Sequence, residues 1–115
     1  MIIIVDERSE VTEAYCASFG REGLSPTGFN QAEFEGWFHT AGVQDLAAVE
    51  TSIIGSFPDR ERSISMVKSR SSIPVIAVNE TMGLESMLSL FATGADDVVR
   101  KPVHAREFIA WIAAI

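Results

Sequence analysis

Apolar residues follow two alternating rhythms along the chain. Ile2-Ile3-Ile4-Val5 is an unbroken β-branched run, as expected of a strand covered on both faces. Ser9 is placed to cap a helix on which Val11, Ala14, Tyr15 and Phe19 recur at helical spacing, up to Gly20 and Gly23. Thr27-Gly28-Phe29 predicts a short second strand. Asn30-Gln31-Ala32-Glu33 has capping-box spacing ahead of Phe34, Trp37, Phe38 and Ala41, a helix stopped near Gly42. Asp45-Leu46-Ala47-Ala48-Val49-Glu50 predicts a third strand, apolar up to its last residue.

The second half repeats the alternation. Gly55-Ser56-Phe57-Pro58-Asp59 reads as a turn, with Asp59 capping a helix that carries Ile64 and Val67. Arg60, Arg62, Lys68 and Arg70 fall on the polar side of that helix and read as a solvated face. Pro74 to Val78 predicts a fourth strand opened by its proline. Thr81 starts a helix with Leu84, Met87, Leu88 and Phe91 on one face, and Gly94 stops it. Asp97-Val98-Val99-Arg100 predicts the fifth strand. Lys101-Pro102 breaks the chain before a last helix lined by Phe108, Trp111, Ile112 and Ile115.

Five strands alternating with helices predict an α/β fold, a single doubly wound five-stranded parallel sheet. In such sheets functional groups gather outside the carboxyl ends of the strands. Under the boundaries above, those ends carry Asp6-Glu7, Glu50, Asn79 and Lys101: three carboxylates, one amide and one ammonium.

Composition narrows the field. The 115 residues suit one domain with its own core, spanning residues 1–115. Nine Lys and Arg against sixteen Asp and Glu give a formal net charge of −7. That argues against a stand-alone nucleic-acid binder, which needs a basic face. One cysteine, Cys16, leaves no intrachain disulfide and no multi-cysteine zinc site. No stretch approaches the roughly 20 apolar residues of a membrane span, so a cytoplasmic protein without membrane contact is expected. His39 and His104 lack ligand spacing and read as surface or packing residues.

The segments Ile4 to Glu7, Asp45 to Glu50, Pro74 to Asn79 and, above all, Gly94-Ala95-Asp96-Asp97-Val98-Val99-Arg100-Lys101-Pro102 resemble a response-regulator receiver domain. The last segment is similar to the OmpR-like branch, whose members carry a winged-helix DNA-binding output domain. A narrower likeness, to a flagellar transcriptional regulator, rests on Val5 to Arg8, Val78 to Glu80 and Val98 to His104. The resemblance implies the CheY-like strand order 2-1-3-4-5, a non-enzymatic regulatory role and a DNA-binding half outside these residues. It implies that Asp6 and Glu7 form the acidic pair that holds Mg2+, that Lys101 pairs with a phosphoryl group, and that Pro102 follows a cis peptide bond.

The chain also departs from that family. Glu50 stands at the expected phosphoacceptor position, where its extra methylene carries the carboxylate outward by about 1.5 Å. Misplacement by about 1 Å can cost around a hundredfold where chemistry depends on positioning. Asn79 and Val98 replace the usual switch pair. Three readings of Glu50 follow: a permanent phosphoryl mimic paired with Lys101, a relic ion pair, or a residual acceptor. The first two imply a phosphorylation-independent receiver that requires no cofactor, with only weak Mg2+ binding at Asp6 and Glu7. The third implies a conventional switch served by a histidine kinase. An unrelated flavodoxin-like cofactor binder or small enzyme would need a phosphate loop after strand one, where Asp6-Glu7-Arg8 would repel an anion.

OmpR-like receivers dimerise through the fourth helix, fifth strand and fifth helix. The likeness therefore implies a homodimer through Asp96, Asp97, Arg106, Glu107 and Trp111, with DNA contacted only by the output domain.

Overall fold

β1 (Ile2–Val5) is buried along its whole length. It lies between β2 (Pro26–Phe29) and β3 (Thr51–Ile54), and the sheet continues through β4 (Val75–Asn79) to β5 (Asp97–Arg100). All four pairings are parallel and the order is β2-β1-β3-β4-β5, as expected. The computed structural model describes residues 1–80, 83–101 and 104–114. The expected cis bond at Pro102 lies outside the described residues.

The β-branched runs are unbroken because both faces of the sheet are covered. Ile3 and Val5 point to α2 (Gln31–Thr40), α4 (Arg60–Arg70) and α5 (Leu84–Thr93), in a core with Phe34, Phe38, Ile54, Ile64, Val67 and Leu90. Ile2 and Ile4 point the other way, to α1 (Ser9–Arg21) and α6 (Ala105–Ala114), with Phe19, Ile53, Ile76 and Phe108. Phe19 and Phe108 meet edge to face at 5.5 Å between centroids. The capping box forms as expected: Glu33 N donates to Asn30 Oδ1, and Asn30 N to Glu33 Oε1, both at 2.8 Å. Gly94 ends α5 at φ +123°, a conformation that L side chains rarely adopt.

The third strand is not where the apolar run predicts it. Of the residues expected to form it, Asp45 to Ala47 end a short helix, α3 (Val43–Ala47), in which the Asp45 carboxylate accepts from Gly42 N at 2.9 Å, and Ala48 to Glu50 follow that helix. The strand itself starts one residue after Glu50, at Thr51. Its two leading residues are polar but buried, because the hydroxyls of Thr51 and Ser52 both donate to the Pro74 carbonyl, at 3.3 and 3.0 Å. A buried polar group costs little once it is hydrogen-bonded.

Two helix faces also differ from expectation. On α5, Met87 and Leu90 face the core, whereas Leu84, Leu88 and Phe91 are exposed. On α4, Arg60 leaves the polar side and is buried.

Candidate functional site

The carboxyl edge of the sheet brings together Asp6, Gly55, Asn79, Glu80 and Lys101. Asp6 follows β1 and is only 3 % exposed. Its Oδ1 accepts from the Arg8 backbone N at 2.9 Å, with Arg8 Nε at 3.5 Å. Its Oδ2 is buried and has no hydrogen-bond partner among the described residues. Glu7, beside it, is exposed and lines a small acidic cavity of about 110 Å³ with Asp6, Asn30 and Glu33.

Gly55 follows β3, and its N donates to the Val5 carbonyl at 2.8 Å. A Cβ built on Gly55 would overlap Asp6 Oδ2 and lie 3.0 Å from Asp6 Cγ and 3.1 Å from the Val5 carbonyl oxygen. A side chain at this position therefore requires the Asp6 carboxylate to move aside.

Arg60 reaches into the same edge from the start of α4. Its Nη1 donates to the carbonyls of Gly55, at 2.8 Å, and Val78, at 2.9 Å. Its Nη2 donates to Asn79 Oδ1, and Asn79 Nδ2 donates on to Ser86 Oγ of α5 at 3.1 Å. Burial pulls the guanidinium below its ordinary pKa, with the charge of Glu61 opposing. The fork thus ties the β3–α4 loop, β4 and α5 into one hydrogen-bonded chain. Asn79, expected at a switch position, is its middle link, and Val98 is buried in the core beneath.

Glu50 is not part of this site. It precedes β3, at the opposite edge of the sheet, five residues before Gly55, or about 16 Å along a strand at about 3.3 Å per residue. Its backbone N donates to the Met1 carbonyl at 2.8 Å, and its exposed carboxylate lies 3.6 Å from the Met1 ammonium. The expected Glu50–Lys101 pair therefore does not form, and an acceptor or a phosphoryl mimic at Glu50 is ruled out by its place in the fold. The carboxylate that Lys101 meets is Glu80, at 3.8 Å, and the same oxygen lies 3.5 Å from Arg8 Nη2.

The donor set also fits Mg2+ poorly. The ion prefers an octahedron of hard oxygens. Asp6 and Glu7 supply carboxylates, but the adjoining strand end supplies none, and no cluster of three metal-ligating side chains occurs among the described residues.

The residues expected on a dimer face divide. Asp96 is tied into the fold, accepting from Lys68 Nζ at 2.9 Å and Val75 N at 2.7 Å. Arg106 turns toward α1, with Nε 3.5 Å from Glu22 Oε1. Asp97 accepts from the indole N–H of Trp111, which packs partly buried against the core. Glu107 is exposed. The supposed basic face of α4 is likewise spoken for: Arg62 pairs with Glu35 and Asp59, both at 2.7 Å, Lys68 with Asp96, and Arg70 reaches His39 Nδ1 at 3.1 Å.

Gly55, Arg60 and Glu80 are the site residues that sequence reasoning missed. The available signal was the β-branched pair Ile53-Ile54 closing on Gly55, which marks a strand end as well as any apolar run does.

Five parallel strands in the order 2-1-3-4-5, with acids after the first strand and a lysine after the fifth, give the CheY-like fold. Among solved structures, the chain matches a two-component response regulator from Clostridium difficile with a TM-score of 0.82 and 17 % identity, over 98 % of this chain and 92 % of that one. It matches an atypical orphan response regulator, described as having a phosphorylation-independent regulatory mechanism, with a TM-score of 0.75 and 18 % identity over 98 % and 92 %. In sequence the chain is 48 % identical, over all 115 residues, to the flagellar transcriptional regulator FtcR of Brucella abortus. It spans 51 % of that relative's length. No protein-family model matches the chain. Among the described residues no helix is long and apolar enough to cross a membrane.

Proposed function

We propose that this chain is the receiver half of a cytoplasmic transcription regulator of flagellar genes, and that it works without phosphoryl transfer. The likeness to FtcR supports the regulatory role, and that relative's greater length supports a DNA-binding half beyond these residues. The observation that carries phosphorylation independence is Gly55. It stands beside Asp6 at the end of β3, where an acceptor carboxylate would be needed; it has no side chain, and the Asp6 carboxylate fills the space one would occupy. Phosphoryl transfer depends on a positioned acceptor and metal; the end of β3 carries glycine in place of an acceptor carboxylate, and no cluster of three metal-ligating side chains occurs among the described residues. Arg60 and Asn79 hold the neighbouring loops in one arrangement, so the domain serves as a fixed docking module with no enzymatic activity and no need of Mg2+ or a histidine kinase. Its partner is a second copy, engaged through α5, β5 and α6, where Leu84, Leu88 and Phe91 lie exposed.

The test is incubation with acetyl phosphate and Mg2+, followed by intact-mass spectrometry, alongside an amide NMR titration with beryllofluoride. Unchanged mass and unchanged spectra are expected. A phosphoryl adduct, or shifts centred on Asp6, Gly55 and Lys101, would overturn the reading.

A further inference from the structure

The acids Asp6, Glu7 and Glu33 line a small cavity toward α2, whereas a second cavity, of about 420 Å³, lies against α1 with Lys101 and His104 at its rim, and Arg8, which also meets Asp6 at 3.5 Å, stands between the two. Val11, Ala14 and Tyr15 of α1 form its apolar wall, and Arg8, Lys101 and His104 stand around it, with Glu10 the acid among its lining residues. In a chain of net charge −7, this places two permanent cations and an imidazole beside a concave apolar surface. It adjoins the edge described above and shares Arg8 and Lys101 with it, but neither Asp6 nor Gly55 lines it.

The two cations already share an anion. Glu80 Oε1 lies 3.5 Å from Arg8 Nη2 and 3.8 Å from Lys101 Nζ. Both distances exceed that of a good charge-assisted hydrogen bond, about 2.7–2.9 Å, and Glu80 is 60 % exposed. Such exposed pairs are weak and readily exchanged.

We propose that this cavity is a binding site for a small organic anion, a carboxylate or phosphate head on an aromatic or short apolar body. The head displaces Glu80 from Arg8 and Lys101, and the body lies against Val11, Ala14 and the Tyr15 ring. Glu80 acts as an internal competitor that keeps the cations paired when the ligand is absent. Burial raises the Tyr15 pKa, with Asp6 adding to the effect and Arg8 opposing it.

Phenyl phosphate, benzoate and inorganic phosphate, titrated separately into the 115-residue chain and followed by amide NMR at millimolar concentration, test this. Phenyl phosphate and benzoate should give saturable shifts at Arg8, Val11, Tyr15 and Lys101, and inorganic phosphate should bind more weakly, lacking the apolar body. Glu80→Gln should tighten binding several-fold by removing the competitor, whereas Lys101→Met and Arg8→Gln should each weaken it about tenfold, the scale of one charge-assisted contact. Tightening on removal of Glu80 is a change that a merely structural pair would not produce. Absence of saturable shifts in both the wild type and Glu80→Gln would overturn the proposal, as would binding indifferent to Arg8 and Lys101.

Discussion

Asp6 Oδ2 occupies the space that a side chain at Gly55 would need. Gly55 has no left-handed backbone to explain its identity, since the positive-φ glycines among the described residues are Gly23 and Gly94. The requirement is steric, and it couples the two positions. Gly55→Ala forces Asp6 or β3 to shift and should cost about 1–3 kcal/mol, the range for overpacking a tight interior. Combined with Asp6→Ala, which frees the space, the same change should cost much less. Urea denaturation of the two single variants and the double variant measures the coupling; an additive cycle would show that the two groups do not compete for space.

Gly55→Asp does not recreate an acceptor site by itself. The added carboxylate would meet the buried Asp6 directly, and two like charges at contact distance disfavour each other's ionised forms. The expected outcome is a destabilised protein that gains no mass from acetyl phosphate. A stable phosphorylated Gly55→Asp variant would mean that the edge is far softer than its packing suggests.

Arg60 is held by three acceptors on two strand ends, and Asn79 relays that hold to α5. Arg60→Met keeps much of the buried stem but removes the donor that the Gly55 and Val78 carbonyls and Asn79 Oδ1 share. Buried groups stranded this way cost about 1–3 kcal/mol each, so a loss of at least about 2 kcal/mol is expected. Arg60→Lys should recover only part of it, because an ammonium cannot reproduce the planar fork. Arg62→Met, which breaks the ion pairs with Glu35 and Asp59 on the exposed face of the same helix, should lower the thermal midpoint far less. Differential scanning calorimetry of the three variants separates a buried fork from an ordinary surface cation.

What was legible in the sequence was the topology; what was not was the fine placement of two charges. The β-branched runs at Ile2 to Val5 and Val75 to Val78 have no polar competitor, and their strands fall where periodicity puts them. Asp45 to Glu50 offers an equally apolar run, but it lies in and after a helical turn, because Thr51 and Ser52 become strand-compatible only once the Pro74 carbonyl accepts their hydroxyls. That partner is 22 residues or more away, beyond any local pattern. The slip moved Glu50 across the sheet and hid Gly55. Arg60 misled for a similar reason, since an arginine on a polar helix face looks solvated until the loops that wrap it are known. Glu50→Gln is the direct check: it should change neither the fold nor any association of the domain, because the carboxylate meets only the amino terminus at an exposed edge. A loss of self-association in this variant would contradict the placement of Glu50.

The last prediction concerns the stripe on α5. Leu84, Leu88 and Phe91 are 69, 57 and 43 % exposed, and they sit at i, i+4 and i+7 on one side of a helix whose Met87 and Leu90 already serve the core. Exposed large side chains aligned in this way serve association more readily than folding. Of the charged residues expected to specify the interface, Asp96 and Arg106 are engaged within the chain, so apolar contact should dominate and association should depend little on salt. Burying one Leu or Phe contributes about 1.5–3 kcal/mol. In a two-fold dimer each substitution removes that contribution twice. Leu88→Lys or Phe91→Lys should therefore weaken the dimer by at least about a hundredfold while leaving the midpoint of urea unfolding of the monomer nearly unchanged, since neither side chain is in the core. Sedimentation equilibrium at low and high salt provides the measurement. A wild-type chain that stays monomeric at high micromolar concentration, or a dimer untouched by both substitutions, would place the association surface elsewhere.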